Sequence, residues 1–150
     1  MQRLIYHFLL LSILTVAVGC SEKETSSASK TKGIFRLLPA EQTGVNFTNT
    51  IEENDTFNMV DFFYVYNGGG VAMGDVNGDS LPDLFFTGNM SRDRLYLNSG
   101  RGENNVLSFE DISKTANILS SGWSTGVTMV DINSDGLLDI YVCRSGNYEA

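Results

Sequence analysis

The chain has 150 residues, 42% of them hydrophobic, and carries ten Lys and Arg against 18 Asp and Glu, a formal net charge of −8. That is the size of one domain, and so acidic a surface is a poor partner for nucleic acid. The single His, His7, lies in the N-terminal apolar run, so no Ser–His–Asp triad and no His-ligated zinc site is expected downstream of it.

Residues 2–19 (QRLIYHFLLLSILTVAVG) join a basic start at Arg3 to an apolar run from Leu4 to Val18 and a small residue before Cys20. This is the layout of a secretory signal peptide, and the run is shorter than the roughly 20 residues a transmembrane helix needs. Ala17-Val18-Gly19-Cys20 resembles the lipobox of bacterial lipoproteins, with Ala17 where Leu is usual. The resemblance implies cleavage before Cys20, lipid on its thiol, and attachment to the bacterial outer membrane or cell surface. Residues 21–32 (SEKETSSASKTK) carry no large apolar residue and are read as a flexible tether. The expected division is a leader over 1–19, a tether over 20–33 and folded repeats over 34–150. Cut before Cys20, the chain keeps nine Lys and Arg against 18 Asp and Glu, a net charge of −9.

Two segments of the remainder align without a gap at an offset of 56 residues: GVAMGDVNGDSLPDLFFTG (70–88) and GVTMVDINSDGLLDIYVCR (126–144). Val71 and Met73, with Val127 and Met129, suit the inward face of a strand with period 2. The acidic stretch that follows runs into the β-prone LFF at 84–86 and IYV at 140–142, so the unit is strand, acidic loop, strand. Arg94–Asn98 reads as a third strand closed by a turn at Asn98-Ser99-Gly100, and Leu107–Ile112 as a fourth. Each copy opens on a similar stretch, 35–45 and 109–118; the first then carries a polar insertion, 46–62, expected as a surface loop. Four short strands in about 50–60 residues is the size of a propeller blade, and at least about three repeats are expected for stability. The expected fold is all-β, with about two blades of an incomplete propeller in this chain. Cys143, in the strand IYVC, is expected to be a buried thiol.

The two acidic loops set oxygen-bearing side chains at places 1, 3, 5 and 9: Asp75, Asn77, Asp79 and Asp83, then Asp131, Asn133, Asp135 and Asp139. The backbone carbonyls of Leu81 and Leu137, at place 7, can join them. An all-oxygen set of this kind suits Ca²⁺, which takes six to eight oxygens. Three carboxylates facing one point repel by roughly 3 kcal/mol per pair at ~5 Å and an effective dielectric of ~20, so a divalent cation should close the loop. An EF-hand is excluded, because place 12 is Phe86 or Val142 and strands, not helices, flank the loops. Without metal, the same residues would make two Asx-rich hairpin turns. Place 6 is Gly136 in the second loop but Ser80 in the first, so the first is expected to bind the more weakly.

Gly70-Val71 through Asp83-Leu84-Phe85, repeated at Gly126-Val127 through Asp139-Ile140-Tyr141, resembles the FG-GAP or VCBS-type repeat of integrin-α-like propellers. The wider pattern is similar to bacterial surface proteins that join such repeats to an ASPIC/UnbV module. The resemblance implies Ca²⁺-bearing blades with the two residue sets above as ligands. The expected function is that of a lipid-anchored, calcium-binding module holding an extracellular glycan or protein; Trp123, Tyr64, Tyr66 and Tyr148 are candidates to stack on sugars, against a role in the core. The alternative is a non-catalytic N-terminal part of a larger secreted enzyme. No nucleophile–base pair stands out, so the segment itself is not expected to be catalytic.

Overall fold

The computed structural model describes residues 34–102, 105–118 and 122–145. The leader, Cys20 and the tether, as well as Tyr148, lie outside the described residues. The chain divides into two units between Arg36 and Leu37, and every described helix and strand belongs to the second. Among the described residues no helix is long and apolar enough to cross a membrane.

One helical turn, α1 (Ala40–Thr43), precedes six strands. Strands β1 (Val71–Gly74), β2 (Asp83–Phe86), β3 (Arg94–Arg101) and β4 (Leu107–Asp111) form one antiparallel meander in that order. Strands β5 (Ser124–Val130) and β6 (Asp139–Arg144) form an antiparallel hairpin. The four-stranded meander is a propeller blade, and the hairpin repeats its inner half. Pairing keeps the repeat's register: Val71 faces Phe86 and Gly74 faces Asp83, as Val127 faces Val142 and Val130 faces Asp139. The all-β fold expected from the sequence is present, as one full blade and the first hairpin of the next. The paired openings also agree, each with a helical turn: Gly44 N–H donates to Ala40 O at 2.7 Å and Ala116 N–H to Ile112 O at 2.8 Å.

One face of the blade carries Ala72, Phe85 and Leu95, all buried and opposite one another across β1, β2 and β3. The β5–β6 hairpin covers this face, with Ile140 and Val142 lining the seam beside Phe85. Close approach depends on the small residues of β1 and its entry. A Cβ on Gly70 would stand 2.9 Å from Val127 N and 3.1 Å from Gly126 Cα; one on Gly74 would stand 2.7 Å from Leu138 Cδ1 and 2.9 Å from Met129 Sδ. On the opposite face Phe86 meets Tyr96 edge-on, with centroids 5.8 Å apart, and the insertion lays Phe47 over Phe86 at 5.2 Å. Tyr96 is fully buried there, and its hydroxyl donates to Asn46 Oδ1 at 3.0 Å, which satisfies its polar end.

A polar clasp joins the blade to the hairpin. Buried Asp93 accepts Gly88 N–H at 2.9 Å and the Ser124 hydroxyl at 3.1 Å. Buried Asn89 donates to Ser124 O at 3.0 Å and exchanges bonds with Asn49 of the insertion, 2.6 and 2.9 Å. Among the described residues no buried side-chain polar atom lacks a partner, as a well-made interior requires.

Three expectations are corrected. Val71 and Met73 do not face inward: they are 60% and 68% exposed, while Ala72 between them is buried. The alternation holds, but the covered face of β1 is the one that meets β5, which the strand's own pattern does not specify. Strand β3 does not end at Asn98. It continues to Arg101 through a bulge, because Asn98 caps the irregularity by accepting Gly100 N–H at 2.8 Å and donating to Pro82 O at 2.9 Å. Cys143 is an exposed free thiol, since it alternates with Val142, which takes the covered side of β6.

Candidate metal centre

Both acidic loops join the paired strands of a hairpin, β1 to β2 and β5 to β6, and both adopt one conformation. In the first, Asp75 Oδ1 accepts Gly78 and Asp79 N–H at 2.7 and 3.1 Å, and its Oδ2 accepts Ser80 N–H at 2.7 Å. In the second, Asp131 accepts Asp135 and Gly136 N–H at 3.1 and 2.9 Å. Place 3 repeats too, Asn77 and Asn133 each accepting the N–H of place 5 at 3.0 Å and donating to its carboxylate at 2.9 Å. At place 5, Asp79 and Asp135 each accept the N–H of place 7 at 2.8 Å. At place 9, Asp83 and Asp139 each accept the N–H of place 2 (Val76, Ile132) at 3.0 Å.

Two left-handed residues bend each loop: Gly78 and Ser80 at φ 78° and 68°, Ser134 and Gly136 at φ 63° and 89°. Place 6 bends as its Gly136 implies, and place 4 needs the same conformation. Each loop has one glycine and one serine for the two places, in opposite order. This second bend was visible as Gly78, whose cost-free left-handed geometry is a reason for a glycine in a tight turn.

These bonds polarise the carboxylates. The Asp75 carboxyl is held below the ordinary aspartate range, chiefly by the Ser80 N–H, with Gly78 and Asp79 adding to it. The Asp135 carboxyl is lowered by the Leu137 N–H and by the Asn133 amide. The loops differ at place 9. Asp83 is fully buried and also accepts Asn98 N–H from β3 at 2.9 Å, whereas Asp139 is half-buried.

The donor set is oxygen only, which fits a hard cation. As placed, no group of three or more His, Cys, Asp or Glu among the described residues is arranged to hold a metal ion. The carboxylates are turned to backbone N–H groups instead. A carboxylate has about four lone-pair sites, so Asp75, accepting three N–H groups, retains about one, and Asp79 and Asp83 retain about two each. The residues therefore fit a cation by chemistry and spare capacity, with rotation of side chains required to converge. Place 12 does not contribute: Phe86 lies in β2 under Phe47, and Val142 in β6.

Of the aromatic candidates, Trp123 is 3% exposed, with Phe57 and Phe62 of the insertion each 5.3 Å from its ring. It belongs to the core. Tyr64 and Tyr66 are exposed, as is Phe63, and the Tyr64 ring stands 6.0 Å from that of Phe62.

Residues 75–142 match the family described as FG-GAP-like repeat. The match spans both loops and β2 to β5 whole, and bears on the repeat alone. Neither the curated proteins nor the solved structures yield a match.

Proposed function

We propose that this chain, whose residues 75–142 form an FG-GAP-like repeat, is a calcium-stiffened β-propeller module that works outside the cell as a binding or scaffolding surface. The observation that carries this reading is the pair of loops 56 residues apart with one hydrogen-bond pattern and one pair of left-handed bends. A turn whose only task is to reverse a chain has no need to repeat an Asp-Asn-Asp-Asp set; a cation loop does.

Asp75, Asn77, Asp79, Asp83 and the Leu81 carbonyl would hold one ion, and Asp131, Asn133, Asp135, Asp139 and the Leu137 carbonyl the other. Bound Ca²⁺ supplies positive charge that offsets the mutual repulsion of three carboxylates. The loop residues contribute the rest: their N–H network sets the backbone shape of the loop in advance, so the ordering cost that remains is that of turning the carboxylates toward the ion. Lipid on Cys20 is the expected anchor, with the propeller presented beyond the tether to a glycan or protein partner. The exposed Phe63, Tyr64 and Tyr66 support a binding role.

Calorimetric titration of the full chain with Ca²⁺ tests the reading. Two sites of roughly 10⁻⁵ to 10⁻³ M, lost on Asp79→Ala with Asp135→Ala, are expected. A folded chain that takes up no Ca²⁺ would reduce both loops to ordinary turns.

A further inference from the structure

The insertion and the β2–β3 connection enclose a polar groove that the calcium reading does not use. Two pockets share Ser91: one of about 270 Å³ lined by Asn46, Phe47, Thr48, Ser91, Arg92 and Arg94, and a neighbour of about 360 Å³ lined by Thr50, Glu52, Asn54, Met90 and Ser91. The walls are cross-linked. Ser91 Oγ donates to Thr48 O at 3.1 Å, Asn49 and Asn89 bond each other, and Glu52 N–H donates to Met90 Sδ at 3.2 Å. The groove is thus held in shape without a ligand, which lowers the cost of binding one.

Its charge is unlike the rest of the chain. In a protein of net charge −8, two guanidinium groups line one pocket. Arg94 is tied by one nitrogen to Asp111 at 3.3 Å. Arg92 makes no side-chain hydrogen bond or ion pair among the described residues. Counting Asp111, the pocket keeps one positive charge, and Arg92 keeps its planar fork of donors for a carboxylate or sulfate. Beyond Ser91 the lining turns to Thr, Asn and Glu, groups that hydrogen-bond neutral hydroxyls, and Glu52 there repels a second anion. Met90 gives apolar area beside them.

We propose that this groove binds an anionic sugar, its carboxylate or sulfate at Arg92 and Arg94 and an uncharged sugar residue along Glu52 and Asn54. The proposal deepens the reading of an extracellular binding module and rests on it.

The test is calorimetric titration of the full chain with three probes: a disaccharide of one glucuronic acid joined to an uncharged galactose, its methyl ester, and a galactose disaccharide carrying a single sulfate. Binding of either acidic probe at least tenfold tighter than the ester is expected, and which one binds identifies the anion. Arg92→Ala should weaken that binding at least tenfold, Arg92→Lys less, with circular dichroism unchanged because Arg92 is an exposed residue. Equal affinity for acid and ester, or no binding of any probe, overturns the groove assignment. Acid-selective binding untouched by Arg92→Ala also overturns it, while leaving the glycan-binding module intact at another place. The calcium titration is read separately, so failure of the loops and failure of the groove are distinguishable.

Discussion

Asp83 Oδ1 accepts the backbone N–H of Asn98 at 2.9 Å, with both residues buried, so a residue of the acidic loop is also a bond between β2 and β3. Its other oxygen holds Val76 N–H at 3.0 Å. Removing the carboxylate strands two N–H donors, one of them buried, and hydrogen bonds to a charged group are worth about 1.5–3 kcal/mol each. Asp83→Ala is therefore expected to cost about 2–4 kcal/mol in metal-free urea unfolding. Asp139→Ala, which frees only Ile132 N–H at an exposed site, should cost about 1 kcal/mol or less. Equal losses from the two would refute the structural role of Asp83.

Ser80 and Ser134 sit at φ 68° and 63°, a conformation that costs an ordinary residue about 1–2 kcal/mol and glycine almost nothing. Ser80→Gly and Ser134→Gly are each expected to raise stability, by about 0.5–1 kcal/mol after the greater freedom of an unfolded glycine is counted. Gly78→Ala and Gly136→Ala should lower it by about 1 kcal/mol although a Cβ there meets nothing within 4 Å. Chelator-treated protein in thermal melts gives the comparison, and no gain from either serine replacement would contradict the shared loop geometry.

The lowered Asp75 and Asp135 carboxyls give the loops a pH response. A folded-state pKa below the unfolded value means that the stabilisation is fully present above about pH 3.9, the ordinary aspartate value, and is lost as pH falls through the lower folded values. In an NMR titration without metal, the Ser80 and Leu137 amide resonances should shift together with those carboxyls, at pH values below the ordinary aspartate midpoint. Transitions at or above that midpoint would mean that these N–H bonds are not made in solution.

Gly70 and Gly74 test the contact between blade and hairpin. A methyl at Gly70 meets the backbone of β5 at Gly126 and Val127, which cannot swing aside; one at Gly74 meets the ends of the Leu138 and Met129 side chains, which can. Gly70→Ala is expected to cost about 1–3 kcal/mol, in the range of overpacking, and Gly74→Ala less than about 1 kcal/mol. Urea midpoints of the two variants decide it; the reverse order would place β5 elsewhere.

The repeat, the strands that flank each loop and the two Asp-Asn-Asp-Asp sets were legible in the residues, because a period-2 strand and an Asx-rich turn are local and each was written twice. The bend at place 4 was visible in Gly78 but masked by Ser134 in the other copy. Tertiary contacts decided the rest. Alternation in β1 marks two faces but not which one is covered; β5 lies against the face of Gly70, Ala72 and Gly74 and leaves Val71 and Met73 exposed. The insertion was legible only as polar loop, since nothing local says that Phe57 and Phe62 close on Trp123 or that Asn49 bonds Asn89, 40 residues away. The sequence by itself determined that this is a β-repeat with two acidic hairpin loops, because those features depend on neighbours along the chain. Which faces are buried, where Arg92 and Arg94 meet the insertion, and the second duty of Asp83 depend on neighbours across space, and only the folded structure brings those together.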